Sequence, residues 1–256
     1  MPVQFGISLL PFTSSSDLQG QFIPWHRHYV TLYTNAPRDE CAYDGPVIYW
    51  HWATDIDSGL PMNEWSVFDP AAGFGGDGVP GTYTLPPDPD NVGATASPSP
   101  EMLPPNLVYK GCVQDGPFAN LTLHLGPGRL VTTRCLVRWF HSLWRRQLDG
   151  TAVGKVLAST SFEEFRVAID QGKSELHGGG HPIIGGEIDR MWWLWQQADP
   201  ERRLYEVSGP SSTNPNVADQ TTLDNELRYP GSGDSRKIRD IIDTSLEPSC
   251  FTYDPL

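Results

Sequence analysis

Residues 42–128 carry the feature that most limits what this chain can fold into. GFGGDG, PPDPD, SPSPEMLPP and GPG follow one another within that stretch. Proline fixes φ and removes a backbone donor, and ordering glycine costs extra entropy, so punctuation this dense forbids long regular elements. The segment reads as extended loops with a few short strands. Loops of this length need packing or a site to hold them in place. Tyr49, Trp50, Trp52, Trp65, Phe68 and Phe74 favour packing.

Helical patterning lies on either side. Residues 23–36 mix apolar and polar positions at helical spacing and stop before Pro37. LVTTRCLVRWFHSLWRRQL, residues 130–148, also reads as a helix. Ser161 and Glu164 have capping-box spacing ahead of a short helix reaching about residue 170. EIDRMWWLWQQA, residues 187–198, is amphipathic and ends before Pro200, and KIRDIIDT, residues 237–244, is a last candidate helix. Internal repeats and a clear linker are lacking. The expectation is a single, mainly α domain over residues 1–256, with long Gly/Pro-rich loops and few short strands.

Lys and Arg total 18 against 31 Asp and Glu, a formal net charge of -13. Such a surface repels nucleic acid and anionic membranes. No run of 18 apolar residues is present to span a bilayer. The opening PVQFGISLLPF has neither a basic leader region nor a clear cleavage site, so it does not read as a signal peptide. Cys41, Cys112, Cys135 and Cys250 form no CxxC pair, which argues against a zinc ribbon. They allow two disulfides in three connectivities. Those cysteines and the Asn-Leu-Thr sequon at Asn120 favour a secretory route, while the opening segment leaves the compartment open.

Seven histidines remain to be placed. His177 and His181, in ELHGGGHPIIGGE, are four apart and would share one face of a helix. Neutral imidazole suits copper, zinc, iron and nickel. A zinc-protease reading fails because residue 178 is glycine where the catalytic glutamate would stand. Three consecutive glycines each weaken a helix by about 1 kcal/mol relative to alanine, so packing or a metal must hold this turn. A glycine-rich surface loop is the competing reading. His26 and His28 in FIPWHRHYV pose the same choice.

FIPWHRHYV resembles the first copper segment of tyrosinases and catechol oxidases, the type-3 dicopper proteins. HGGGH followed by IGGE resembles the start of their second copper segment, and IDRMWWLWQ resembles its end. YWHW, CVQDGPFANLTLHLGPG, SGP at 208–210, TTLDNEL and DTSLEPSCFTYD add further similarity in order, from about residue 22 to residue 254. The similarity is greatest to short fungal polyphenol oxidases. It implies a four-helix-bundle core holding two coppers with three histidines each. It also implies small phenolic substrates oxidised to o-quinones with O2, no nucleic-acid or membrane partner, and secretion in relatives; the oligomeric state stays open.

The same resemblance exposes departures. His26 matches the third ligand of the first copper, but Asp17 stands where the second belongs and residues 1–16 contain no histidine. Thr34 replaces a usual glutamate, and the aromatic-aspartate pattern appears as Tyr49-Trp50-His51-Trp52. His177 and His181 match two ligands of the second copper. The third should precede Asp-Arg after a Phe-rich segment, yet Ile188, Asp189 and Arg190 follow Glu187 at once. An N-terminal segment and a segment after Glu187 are therefore expected to be missing, through splicing or gene-model error. The metal-ligand set reduces to His26, His177 and His181, three of six, which implies one copper or none and impaired oxidation. A non-catalytic pseudoenzyme with one metal or none is the alternative.

Other residues receive structural readings. Asp189 and Arg190 are expected in a buried ion pair or in hydrogen bonds behind the ligands. His28 matches no ligand of the family. His124 and His141 read as packing residues, and Trp192, Trp193 and Trp195 as core. Gly178 stands where several tyrosinases carry an asparagine, which implies a leaning toward o-diphenols.

Overall fold

The computed structural model describes residues 19–84, 111–125, 131–138, 140, 148–170, 176–177, 187–212, 214, 218–229 and 233–254. These fall into two compact units, one formed by the two ends of the chain (1–51 and 150–256) and one by residues 52–149.

The first unit is helical. Helix α1 spans Phe22–Cys41. Its buried stripe is half polar: Phe22 and Ile23 are followed by Arg27, His28, Thr31 and Thr34. The expected stop before Pro37 does not occur; the helix runs through it. Pro37 forfeits only the bond to the carbonyl one turn back, on Tyr33, which is 64% exposed and open to water. The helix ends where Ala42 turns left-handed at φ 53° and donates its N–H to the Pro37 carbonyl.

Helices α3 (Gly150–Leu157), α4 (Phe162–Asp170) and α5 (Ile188–Gln197) complete the helical core, with a short α6 (Pro200–Arg203) after it. Helix α5 packs against α1 and against α3, and α3 packs against α4. At the start of α4 the Ser161 hydroxyl accepts the Glu164 N–H at 3.2 Å. Glu164 reaches back to the Thr160 N–H at 2.8 Å, a box displaced by one residue from the expected one. Phe162, Phe165, Trp192 and Trp195 are all buried, with Phe165 stacked on Trp195 at 5.3 Å and the Trp195 indole donating to the Ser159 carbonyl at 2.8 Å. The tryptophans of α5 are core residues in this sense, although Trp193 is only half-buried beside Tyr253.

An ion pair joins α1 to α5. Arg27 Nε donates to Asp189 Oδ1 at 2.6 Å, and both side chains are essentially inaccessible. The same guanidinium donates to Gln196 Oε1 at 2.8 Å and to the Ile242 carbonyl at 2.6 Å, and lies 3.8 Å above the Trp192 ring. The other Asp189 oxygen accepts the Tyr253 hydroxyl at 2.8 Å. Burial, and then the Asp189 charge, push the Tyr253 hydroxyl well above the usual phenol range, so it stays a donor.

The expected helix over 237–244 is absent. Residues Arg236–Lys237 form strand β7, paired with β6 (Glu226–Leu227), and a 3-10 turn follows at Ile238–Asp240. The Ile238 and Arg239 amides bond to the Asn225 and Leu223 carbonyls, and the Ile241 amide closes a 3-10 turn onto the Ile238 carbonyl in place of an α-helical bond. Gly209, in the SGP triplet, has φ +98°, and a Cβ there would sit 2.6 Å from Arg166 Nε.

The second unit is loop-rich, as its composition requires. A short helix α2 (Trp52–Asp57) and two 3-10 turns precede the three-stranded antiparallel sheet β1-β2-β5 (Gly78–Pro80, Gly111–Val113, Val137–Arg138) and the hairpin β3-β4 (Thr122–Leu125, Val131–Cys135). The helix expected over 130–148 is thus replaced by strands at 131–138; Trp139 and residues 141–147, including His141, lie outside the described residues. The β-branched Val131, Thr132 and Thr133 suit a strand, and a Cys112–Cys135 disulfide ties β4 to β2 with Cα atoms 5.6 Å apart. Cys41 and Cys250 are exposed free thiols. The GFGGDG loop is held by Arg138, which donates to the Phe74, Gly75 and Gly76 carbonyls at 2.5–3.0 Å. Asp77 accepts the Gly78 and Phe140 amides; burial raises its carboxyl above the usual range against those bonds. His124, expected to pack, is exposed on β3, where a two-stranded hairpin leaves one face to water.

Removing Arg27 strands Asp189 in the core, so Arg27→Ala is expected to cost about 3–5 kcal/mol in urea unfolding. Arg27→Lys should recover less than half, because an ammonium cannot serve Asp189, Gln196 and Ile242 with planar geometry. A loss below about 1 kcal/mol for Arg27→Ala would contradict this role.

Candidate metal centre

Two of the three candidate ligands are brought together. His26 lies on the first turns of α1 and His177 on the short turn after α4, with ring centroids 6.0 Å apart. Phe22 is wedged beside both, 4.3 Å from the His26 ring and 4.4 Å from the His177 ring. His181 lies outside the described residues, as do Asp17 and Gly178.

The hydrogen bonds fix which nitrogen of each ring carries the proton. His26 Nδ1 is 2.9 Å from the Phe22 carbonyl. A carbonyl only accepts, so Nδ1 carries the proton and Nε2 carries the lone pair. His177 Nδ1 is 2.8 Å from Asp170 Oδ1, and the carboxylate imposes the same tautomer. Two Nε2 lone pairs of neutral imidazole are the donor chemistry copper takes.

Imidazoles that share one ion through nitrogens about 2.0–2.1 Å away have ring centres up to roughly 6.4 Å apart. The observed 6.0 Å lies inside that limit. A pair of ions needs more donors. Among the described residues no group of three or more His, Cys, Asp or Glu side chains is arranged to hold a metal. The described residues therefore fit part of one copper's shell and not the six-histidine set of a dicopper pair, and no reaction step is derived through the metals.

His28 and His51 have partners elsewhere. His28 is buried, its Nε2 donates to the Asp234 carbonyl at 3.1 Å, and its ring meets Tyr229 edge-on at 4.7 Å. Burial lowers its pKa and keeps it neutral. His51 Nε2 lies 3.7 Å from Glu187 Oε1, which also accepts Arg190 Nη1 at 2.6 Å. Asp189 and Arg190 both sit in buried ion pairs, but with Arg27 and Glu187, not with each other. Asp189 is thus paired with Arg27, the sequence neighbour of His26. The contributions of Phe22 and Asp170 were not legible in the sequence: one uses its backbone carbonyl, and the other is the last of three acids in FEEFRVAID with no motif around it.

The described geometry meets a family at this point. The family model for the common central domain of tyrosinase matches residues 11–188. The chain belongs to the tyrosinase family.

Among its relatives, the tyrosinase-like protein phomQ2 of Diaporthe leptostromiformis is 27% identical over 271 aligned positions, covering 94% of this chain and 60% of that protein. The oxidase hkm6 of Aspergillus hancockii is 27% identical over 299 aligned positions, covering 97% of this chain and 98% of that protein. A polyphenol oxidase structure from Thermothelomyces thermophila superposes with a TM-score of 0.71 at 25% identity, covering 93% of this chain and 73% of the other. The helix-rich core with few short strands is that tyrosinase fold. The chain spans about three-fifths of the length of phomQ2 and 65% of that of phomQ1 from the same organism.

Replacing Phe22 by alanine should cost about 3–5 kcal/mol of stability, since its side chain is fully buried. The ring-current-shifted imidazole protons of His26 and His177 should move toward ordinary positions in proton NMR. Unchanged imidazole shifts in a folded Phe22→Ala variant would contradict the wedge.

Proposed function

We propose that this chain is a polyphenol oxidase of the tyrosinase type, a copper-dependent oxidiser of phenols and o-diphenols to o-quinones with O2, in impaired form. Its remaining ligands are His26, His177 and His181, and it takes up one copper or none where its relatives' fold serves two. The observation that carries the reading is the pairing of His26 with His177 at 6.0 Å, each held through Nδ1, without the further donors of a second ion among the described residues. Bound copper would supply redox chemistry toward O2 and phenol. The chain's own groups orient the imidazoles, with Phe22 keeping one side of both rings apolar.

The domain is read as one tyrosinase domain that lacks the segment after Glu187. Glu187 runs directly into α5, and it is buried there with Arg190 as its partner. The match to hkm6 extends over 299 positions, more than the 256 residues of this chain, which requires internal gaps here relative to that relative. The second reading, a non-catalytic chain that keeps the scaffold, is favoured by a core whose Arg27–Asp189 pair and aromatic packing of α4 on α5 use none of the candidate ligands.

Copper analysis of the reconstituted chain, with oxygen uptake on catechol, tests the proposal. One copper or fewer per chain is expected, with turnover far below that of a relative holding both ions. Two coppers per chain with family-level oxygen uptake would overturn it.

A further inference from the structure

We propose that Asp170 is a positioning residue for His177, fixing its tautomer and strengthening its Nε2 as a metal donor. The inference rests on the reading of His177 as a ligand. Asp170 is the last residue of α4 and is 3% exposed, and its Oδ1 lies 2.8 Å from His177 Nδ1. Stability alone gives little reason for an acid here. The C terminus of a helix carries the negative end of the backbone dipole, so a carboxylate there is disfavoured. Burying it costs further unless a donor answers it. The donor is the imidazole itself, across a segment of seven residues.

The rest of the setting is rigid. Phe162, Phe165 and Ile169 anchor α4 in the core with no exposed surface, so the carboxylate is delivered from a fixed platform. His177 is in turn confined by Phe22 at 4.4 Å. A carboxylate accepting Nδ1–H leaves the lone pair on Nε2 and makes that nitrogen a better donor, and loss of such a partner weakens metal sites about 10–100-fold. At the equivalent nitrogen His26 has a backbone carbonyl, where His177 has a carboxylate.

The experiment uses the full chain and copper(II) ion, with affinity measured by competition against a chelator and folding checked by circular dichroism. His177→Ala is expected to lose tight copper binding. Asp170→Ala should weaken it by about 10–100-fold while remaining folded. Asp170→Asn, which keeps an acceptor but not the charge, should fall between. A readout without metal runs beside these: 15N NMR of the wild-type chain should show His177 as the Nδ1–H tautomer, and of Asp170→Asn a less one-sided population. Wild-type affinity in both Asp170 variants, with binding lost in His177→Ala, would overturn the positioning role alone. Wild-type affinity in His177→Ala would overturn the ligand reading and this inference with it. Should Asp170→Ala fail to fold, Asp170→Asn and the tautomer of the wild-type chain decide.

Discussion

The buried pair between Arg27 and Asp189 is the constraint on which the helical unit depends. Both charges lie out of water, and an ion pair in that setting is tolerable only when its remaining donors and acceptors are answered. Here Gln196, the Ile242 carbonyl, Tyr253 and the Trp192 face answer most of them, while the buried Arg27 Nη2 makes no hydrogen bond. The pair therefore links α1 to α5 and to two stretches of the C-terminal tail. Thr31 with Ser249 and Asn35 with the Pro248 carbonyl extend the same seam along α1. A hydrophobic pair at these positions would tolerate rotation of α1; a planar guanidinium with three fixed acceptors does not.

That fixed rotation matters to the site. His26 precedes Arg27, about 100° around the helix, so the ion pair that locks Arg27 also aims His26 toward His177. Phe22, one turn earlier, lends its carbonyl to one imidazole and its ring to both. His28, a further 100° on, is carried away to Asp234 and Tyr229. The WHRH stretch thus distributes its two imidazoles between a candidate metal centre and a packing role through helical geometry alone. Asp189 sits in the first turn of α5, two residues after Glu187, so the ion pair to α1 is made where that helix begins.

Much of this was legible in the chain's letters, and the reasons for the rest are physical. The ordered motifs pointed to the tyrosinase family, and the helices over 162–170 and 188–197 follow from a cap and an amphipathic run whose local and tertiary preferences agree. Residues 131–138 were misread because Leu, Val and Trp at near-helical spacing also fit a strand, and the Cys112–Cys135 link decides between them from outside the segment. KIRDIIDT was misread because its first residue, Lys237, pairs with Glu226 in a two-stranded sheet. Pro37 was taken as a stop although a solvent-facing carbonyl can lose its bond cheaply. The family resemblance assigned His26 and His177 to two different coppers, so their approach to 6.0 Å comes from the structure; Asp170 had no signal at all, since an isolated acid seven residues before a histidine is common in any sequence.

The central claim is that the histidines of α1 and of the turn after α4 converge on one metal ion. Electron spin-echo modulation of the chain loaded with a single equivalent of copper(II) counts coordinated imidazoles directly. Coupling from at least two imidazoles in the wild type, reduced by one in His26→Gln and again by one in His177→Gln, is the predicted result. Modulation unchanged by either substitution would contradict it.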